Sequence, residues 1–296
     1  MDVIKIIPPA DDASPFAQPT ADVSDVKRKF LDVAYANESE SQKMDIYLPD
    51  DGEGPFPAIV FMHGGAFWGG ERRDSQFLYF ANGIRRGYVV VSLDYRLSNE
   101  AKFPAAIHDA KAAIRFLRAN AEKYCIDAEH IAAAGDSAGA YLASILGATP
   151  NIGAFEDLSM GNAGYSSQVQ AVIGMFGVYD PLMQSQFTEN AVAPKIPNFM
   201  DIFMGFNCRE NPALAMFGWP GSYINVDCAP MLLQAGSGDE IVPYLASSKL
   251  VNKINSICGE SRAEYSEFDG CRHGDPAYGT PEAEEARFAF LDKHLK

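Results

Sequence analysis

The stretch Ala132-Ala133-Ala134-Gly135-Asp136-Ser137-Ala138-Gly139-Ala140 leaves the chain few ways to fold. It reads Gly-x-Ser-x-Gly, with a small apolar run before it and helix formers after it. This is the layout of a nucleophile elbow: a strand enters, the chain reverses over one residue in strained backbone geometry, and a helix leaves. Gly135 and Gly139 lack the side chains that would hold strand and helix apart. Ser137 is expected at the tip, with the helix N-terminus behind it to favour developing negative charge. A motif this short also arises as a Gly/Ser loop before an ordinary helix, so the surrounding sequence decides.

Three further stretches agree with the elbow. His63-Gly64-Gly65-Ala66-Phe67-Trp68-Gly69-Gly70 follows the apolar run Ala58-Ile59-Val60-Phe61-Met62. Asp239 lies in Gly236-Ser237-Gly238-Asp239-Glu240, and His273 in Cys271-Arg272-His273-Gly274-Asp275-Pro276. The chain order Ser, acid, His differs from the chymotrypsin and subtilisin orders. With these residues the chain resembles the α/β-hydrolase esterases, especially the branch related to hormone-sensitive lipase and to bacterial carbohydrate and feruloyl esterases. The resemblance runs from about Leu31 to the C-terminus. It implies an α/β-hydrolase fold, a serine esterase activity and no cofactor.

A chain of 296 residues is long enough for one large α/β domain or two smaller ones. A formal net charge of −15 argues against nucleic acid or an anionic membrane as partner, and the resemblance implies a small-molecule ester. The sequence leaves the oligomeric state open. Met1 to Pro9 lacks the basic start and long apolar segment of a signal peptide, and no apolar run reaches membrane-spanning length. Cys125, Cys208, Cys228, Cys258 and Cys271 are scattered and form no CxxC pair, so neither a zinc site nor a disulfide framework is expected. A reduced, cytoplasmic enzyme fits best. There is no metal-ligand cluster, and Gly64-Gly65 is too short, and without the necessary Lys, to cradle phosphate.

Residues 1–29 are rich in Pro, Asp, Ala and Ser and read as a flexible tail or an arm folded over the active-site face. Alternation in Phe30–Tyr35 and Lys43–Leu48 predicts an antiparallel pair at a sheet edge. Buried strands are expected near 58–62, 88–93, 130–134, 169–176 and 230–235, with another strand near 262–268. Helices are expected near 104–124, 138–147, 244–257 and 281–294. Alternating strand and helix imply a mostly parallel, doubly wound sheet flanked by helices. Residues 149–168 and 181–227 break the alternation. The second, long and rich in Met, Phe and Pro, reads as a small helical cap inserted over the nucleophile, or as an excursion packed at the sheet edge. Residues 30–296 are thus one α/β-hydrolase domain with a cap insertion at about 181–227.

A serine hydroxyl needs a positioned base. Of five histidines, His294 suits a helix C-terminus, His130 precedes a strand, His108 starts a helix and His63 fixes the Gly64-Gly65 loop. That leaves His273, in the loop after the last strand, where the resemblance implies the base. The acid is Asp239 by the same resemblance, with Asp180 before Pro181 as competitor and, alternatively, as a turn former. The oxyanion donors are the N–H of Ala138, just after the nucleophile, and, by resemblance to HGGG-type esterases, those of Gly65 and Ala66. Ala66 departs from that pattern without removing its donor. Trp68 brings the loop near the HGGxW form of formamidases, displaced by one residue, which puts the substrate class in doubt. Asp136, Arg96 and Asp109 are read as members of ion pairs or turn hydrogen bonds. The substrate implied by the resemblance is a short-chain acyl ester, with acetyl or feruloyl esters of plant carbohydrate foremost. An aryl formamidase, a prolyl-oligopeptidase-type peptidase and a non-catalytic binding protein are the alternatives; the first 30 residues hold no propeller, and His273 is in place.

Overall fold

The runs Phe56–Met62 and Val89–Leu93 are apolar on both faces, which suits strands covered on both sides. They lie inside an eight-stranded sheet in the computed structural model, which describes residues 5–7, 18–190 and 197–296. In chain order the strands are β1 (Lys5–Ile7), β2 (Thr20–Asp22), β3 (Lys29–Ala34), β4 (Lys43–Tyr47), β5 (Phe56–Met62), β6 (Val89–Leu93), β7 (Ile126–Asp136), β8 (Ala171–Met175), β9 (Met231–Gly236) and β10 (Ala263–Phe268). The large sheet has the order β10-β9-β8-β7-β5-β6-β4-β3. The two pairings of β4, with β3 and β6, are antiparallel, and the other five are parallel. The expected edge pair and mostly parallel sheet are therefore present. β1 and β2 form a separate antiparallel pair.

The helices are α1 (Leu78–Ala81), α2 (Ala105–Ala119), α3 (Ala138–Ala148), α4 (Pro181–Asn190), α5 (Phe199–Met204), α6 (Pro212–Ala215), α7 (Leu245–Cys258) and α8 (Pro281–Leu295). Because successive strand side chains point to opposite faces, the sheet divides the core in two. Val60, Met62, Val91, Ala133, Val172 and Leu233 face one side, packed with Ile107, Ile114, Leu142, Ile145, Leu250 and Ile254 of α2, α3 and α7. Ile59, Phe61, Val90, Ala134, Ile173 and Leu232 face the other, with Phe80 of α1 and Phe288, Leu291 and Leu295 of α8. Each fully buried Val, Ile, Leu, Phe or Met side chain among these contributes about 1.5–3 kcal/mol relative to exposure. Every residue of α3 is buried, as befits the helix that leaves the elbow through the middle of one layer.

Several boundaries depart from the expectations. Helix α2 stops at Ala119 rather than near Tyr124, because the Asn120 side chain donates to the Phe116 carbonyl at 2.8 Å and Cys125 takes a positive φ of 53°. β7 accordingly starts at Ile126. A helical turn over residues 75–86, of which α1 is the middle, was not anticipated; its Phe77, Phe80, Ala81 and Ile84 are buried at helical spacing. Segment 181–227 holds α4, α5 and α6, with residues 191–196 of the expected cap outside the described residues. Phe203 of α5 stacks on Phe67 at 3.9 Å, and the Gly218 carbonyl accepts from Tyr141 of α3 at 2.8 Å. Of the expected arm, residues 1–4 and 8–17 lie outside the described residues; Ala21 donates to the Arg73 carbonyl at 2.8 Å, and the Pro19 carbonyl accepts from Ser75 at 2.6 Å.

All parallel strands end on one edge of the sheet, and the last residue of β7 is the fully buried Asp136. Its Oδ1 accepts from the Gly64 N–H at 3.0 Å, while Oδ2 has no partner. Burial pushes the carboxyl up from 3.8 to about 8, so the folded chain holds a proton there at neutral pH. The unfolded chain releases that proton above its ordinary carboxylate pKa. The contribution of Asp136 to stability therefore falls as pH rises between the unfolded value of 3.8 and the folded value of about 8, and is largest below that window. Asp136→Asn should remove this slope: in thermal melts, its Tm relative to wild type should climb steadily from about pH 5 to about pH 8. A constant difference across that range would rule out a buried proton at Asp136.

Candidate active site

Ser137 follows β7 with φ 48° and ψ −114°, a conformation that a residue with a Cβ adopts only under restraint. The restraint is visible on both sides. The Ser137 N–H donates to the Met175 carbonyl at the end of β8 at 2.9 Å, and its carbonyl accepts from Tyr141 in α3 at 3.3 Å. A side chain on Gly139 would start 1.9 Å from the Met62 carbonyl oxygen, and one on Gly135 would start 2.3 Å from Gly139. Strand and helix touch backbone to backbone, as the Gly-x-Ser-x-Gly spacing predicts.

The three residues expected to share a site meet there. His273 Nε2 lies 3.0 Å from Ser137 Oγ, and His273 Nδ1 lies 2.7 Å from Asp239 Oδ2. Asp239 is held in turn: its Oδ1 accepts from the N–H groups of Ile241 and Val242, each at 2.8 Å. The loops carrying Asp239 and His273 are clamped together through their backbones. Gly238 donates to the Cys271 carbonyl at 3.0 Å, and a Cβ on Gly236 or Gly238 would start 2.2 or 2.4 Å from the carbonyl oxygens of Cys271 and Gly270. The ring of Phe176 meets His273 edge to face, with centroids 4.8 Å apart.

Asp180 is committed elsewhere. Its Oδ1 accepts from the Met183 N–H at 3.0 Å, starting α4, and its Oδ2 pairs with Lys249 Nζ at 2.6 Å. Arg96 and Asp109, each read as a member of an ion pair or a turn hydrogen bond, pair with each other at 2.8 Å.

On the facing side is the loop after β5. Gly65, Ala66 and Phe67 all have positive φ, of 109°, 56° and 58°. The Gly64 N–H is taken by Asp136 Oδ1 and by Gln76 Oε1 at 3.2 Å. Gly65 and Ala66 border the cleft together with Ser137 and His273. Ala138 is the first residue of α3, where an N–H has no carbonyl one turn back. His63 is buried, stacks on Tyr95 at 4.6 Å, and its Nδ1 lies 2.7 Å from the Gly64 carbonyl. Burial holds its pKa below the ordinary value, so it is neutral and Nδ1–H donates that bond. His63 shapes this loop and takes no place beside Ser137.

The cleft has a volume of about 780 Å³. Its described wall contains no Lys, Arg, Asp or Glu; Trp68, Tyr79, Phe176 and Phe199 give it aromatic surface, and Gln18, Gln76 and Asn99 give it neutral polar groups. Burial pushes the Tyr79 phenol up to about 12, so it stays a neutral hydrogen-bonding group. Ser75, Gln76 and Tyr79 come from the unanticipated 75–86 turn, and Gln18 and Pro19 from the N-terminal segment. The i, i+3, i+4, i+7 spacing of Phe77, Phe80, Ala81 and Ile84 is the signal that places the first three on a helix opposite its buried stripe. From 181–227, Pro197 and Phe199 border the cleft. Among the described residues, no helix is long and apolar enough to cross a membrane.

Comparison with known proteins agrees with this architecture. The BD-FAE family matches residues 44–254, more than half of the chain. The esterase LipC of Mycobacterium tuberculosis is 28% identical over 225 residues, 74% of this chain and 53% of LipC. The chain spans about half the length of the curated relatives it matches. A solved structure titled as a truncated carbohydrate esterase from gut microbiota superposes with a TM-score of 0.81 at 27% identity, covering 92% of this chain and 98% of that one. The bifunctional GH43-CE protein of Bacteroides eggerthii gives a TM-score of 0.80 at 30% identity, over 90% of this chain and 38% of that one. The sheet order, the glycine-packed elbow and the family match lead to one conclusion: this chain has the α/β-hydrolase fold and belongs to the BD-FAE family.

Proposed function

We propose that the chain is a serine carboxylesterase working through an acyl-enzyme on a small-molecule ester. The observation that carries this reading is the relay of contacts from Asp239 through His273 to Ser137, at 2.7 and 3.0 Å. With Nδ1–H held by Asp239, His273 Nε2 faces the Ser137 hydroxyl as an acceptor. Ser137 Oγ attacks the ester carbonyl while His273 takes its proton. The N–H groups of Gly65, Ala66 and Ala138 receive the oxyanion. His273 then protonates the leaving alcohol, and a water activated by the same imidazole releases the acid. Asp239 stays ionised and balances the imidazolium. The domain would span 30–296 with 181–227 inserted, and the unpaired cysteines favour a cytoplasmic setting.

The cleft supports the substrate class. With no Lys, Arg, Asp or Glu among the described wall residues, it favours neutral esters, and its aromatic edges and amide groups suit acetyl or feruloyl esters on carbohydrate. Relatives titled as esterases and a carbohydrate esterase point the same way. A formal net charge of −15 is poorly suited to an anionic lipid surface.

Three measurements test this. Ser137→Ala should lose on the order of 10⁴-fold or more in kcat while remaining folded, and an organophosphonate should label Ser137 in a peptide map; labelling elsewhere would refute the nucleophile. Asp239→Asn should lose roughly 10²- to 10⁴-fold in kcat, because an amide neither fixes the His273 tautomer nor balances its charge. Asp180→Asn, which loosens the start of α4 and its bond to Lys249, should lose about tenfold or less; the reverse ranking would reverse the assignment. On a panel of p-nitrophenyl acetate, methyl ferulate, acetylated oligosaccharide, N-formylkynurenine and emulsified long-chain triglyceride, acetyl and feruloyl esters should give the highest kcat/KM. Faster turnover of N-formylkynurenine would make the chain a formamidase, and faster turnover of triglyceride a lipase.

A further inference from the structure

Two of the five cysteines, thirty positions apart in sequence, lie against each other. Cys228 Sγ and Cys258 Sγ are 3.3 Å apart, at sulfur–sulfur contact and short of a bond. Cys228 sits in the turn that leads into β9, and Cys258 is the last residue of α7. Both are anchored on the same peptide: the Asn225 carbonyl accepts from the Cys228 N–H at 3.1 Å and from Cys258 Sγ at 3.0 Å. The flanking backbone is pinned as well. Arg262 donates to the Cys228 carbonyl at 3.2 Å, and the Asn255 side chain makes two bonds to Ala263, at 2.9 and 2.8 Å. A disulfide bond is about 2.05 Å long, so the two sulfurs, now 3.3 Å apart, have roughly 1 Å to close.

The two sulfurs differ in access. Cys228 is fully buried, whereas Cys258 is partly exposed at the surface. Burial and the neighbouring thiol raise the Cys228 pKa to about 12, so it is a poor first nucleophile and Cys258 is the sulfur that an external reagent meets. Cys125, Cys208 and Cys271 have no sulfur partner.

We propose that Cys228 and Cys258 form a covalent modification site, a dithiol that small disulfides of the glutathione class convert reversibly into an internal disulfide. The Cys258 thiolate attacks one sulfur of the reagent, whose S–S bond breaks and releases one thiol after protonation. The Cys228 thiol then gives up its proton, attacks Cys258 Sγ and expels the second thiol. Two protein thiols are oxidised and one disulfide is reduced to two thiols. The bond closes a loop that holds β9, the Asp239 turn and α7, so it braces the segment carrying the acid without touching the cleft. In a reducing compartment the pair rests as thiols; under oxidising conditions it locks.

The test uses the full chain, incubated folded with oxidised glutathione and then mapped by mass spectrometry without reduction. The expected result is a peptide pair joined through Cys228 and Cys258, lost on treatment with dithiothreitol, and a Tm higher by roughly 5 °C than that of the reduced protein. Cys258→Ser should melt like reduced wild type in dithiothreitol, and should show neither the linked pair nor the oxidative rise in Tm. The wild-type map alone decides if that variant folds poorly. Two free thiols at these positions after incubation, a glutathione retained on Cys258, or a bond from either residue to a different cysteine would each overturn the proposal.

Discussion

The carbonyl oxygens of Met62 and His63 occupy the space that any side chain on Gly139 would need, so the end of β5 and the first turn of α3 meet with nothing between them. That contact sets much of the geometry around the site. It holds Ser137 at positive φ, places the loop after Met62 beside the serine, and brings Gly64 within reach of the buried Asp136 carboxyl. A chain of alternating strands and helices tolerates many loop lengths, but this close approach admits only glycine at the point of contact. The strain at Ser137 is balanced by the apolar packing of α3, whose eleven residues are all buried.

A second restraint lies behind the same loop. Asp45 is fully buried on β4 and is paired with both Arg72 and Arg73, while Arg72 also reaches Asp32 and Asp94. Burying these charges is offset by their mutual pairing, and each arginine keeps more than one carboxylate in reach, so the contacts fix one arrangement of the loop against the sheet. The cluster therefore acts as a register pin: it lets residues 71–74 sit in one place on the sheet, and the segment after them supplies Gln76 and Tyr79 to the cleft.

Much of this was legible in the sequence, for a physical reason. Ser137, Asp239 and His273 each follow a strand, and a parallel sheet collects the ends of its strands on one edge, so order and spacing suffice to bring them together. Arg96 and Asp109 were readable as structural charges, though not as each other's partners. The 75–86 turn was not, because its apolar stripe is short and broken into single turns, although Asp74 before it and Gly87 after it are of capping type. The contact between Cys228 and Cys258 left no trace either, since it depends on where α7 ends relative to the turn before β9, a tertiary fact with no spacing rule. The burial of Asp136 was hidden for the opposite reason: a charged residue beside a serine invites an electrostatic reading, whereas the structure gives it one backbone donor and an unpartnered oxygen.

The place of Gln18 and Pro19 has a practical side. Both border the cleft, and the Pro19 carbonyl is the acceptor for the Ser75 N–H, so the mouth of the cavity is partly built from residues that precede the first strand of the main sheet. A chain trimmed back to Val23 to ease expression would lose a wall of the cavity along with two backbone hydrogen bonds that seat the 73–75 segment. Kinetic constants gathered on such a shortened form describe a wider, differently lined vessel. Changes along α8 carry no such penalty for the cleft: its Phe288, Leu291 and Leu295 pack on the flank of the sheet, and none of its residues is among the described wall residues.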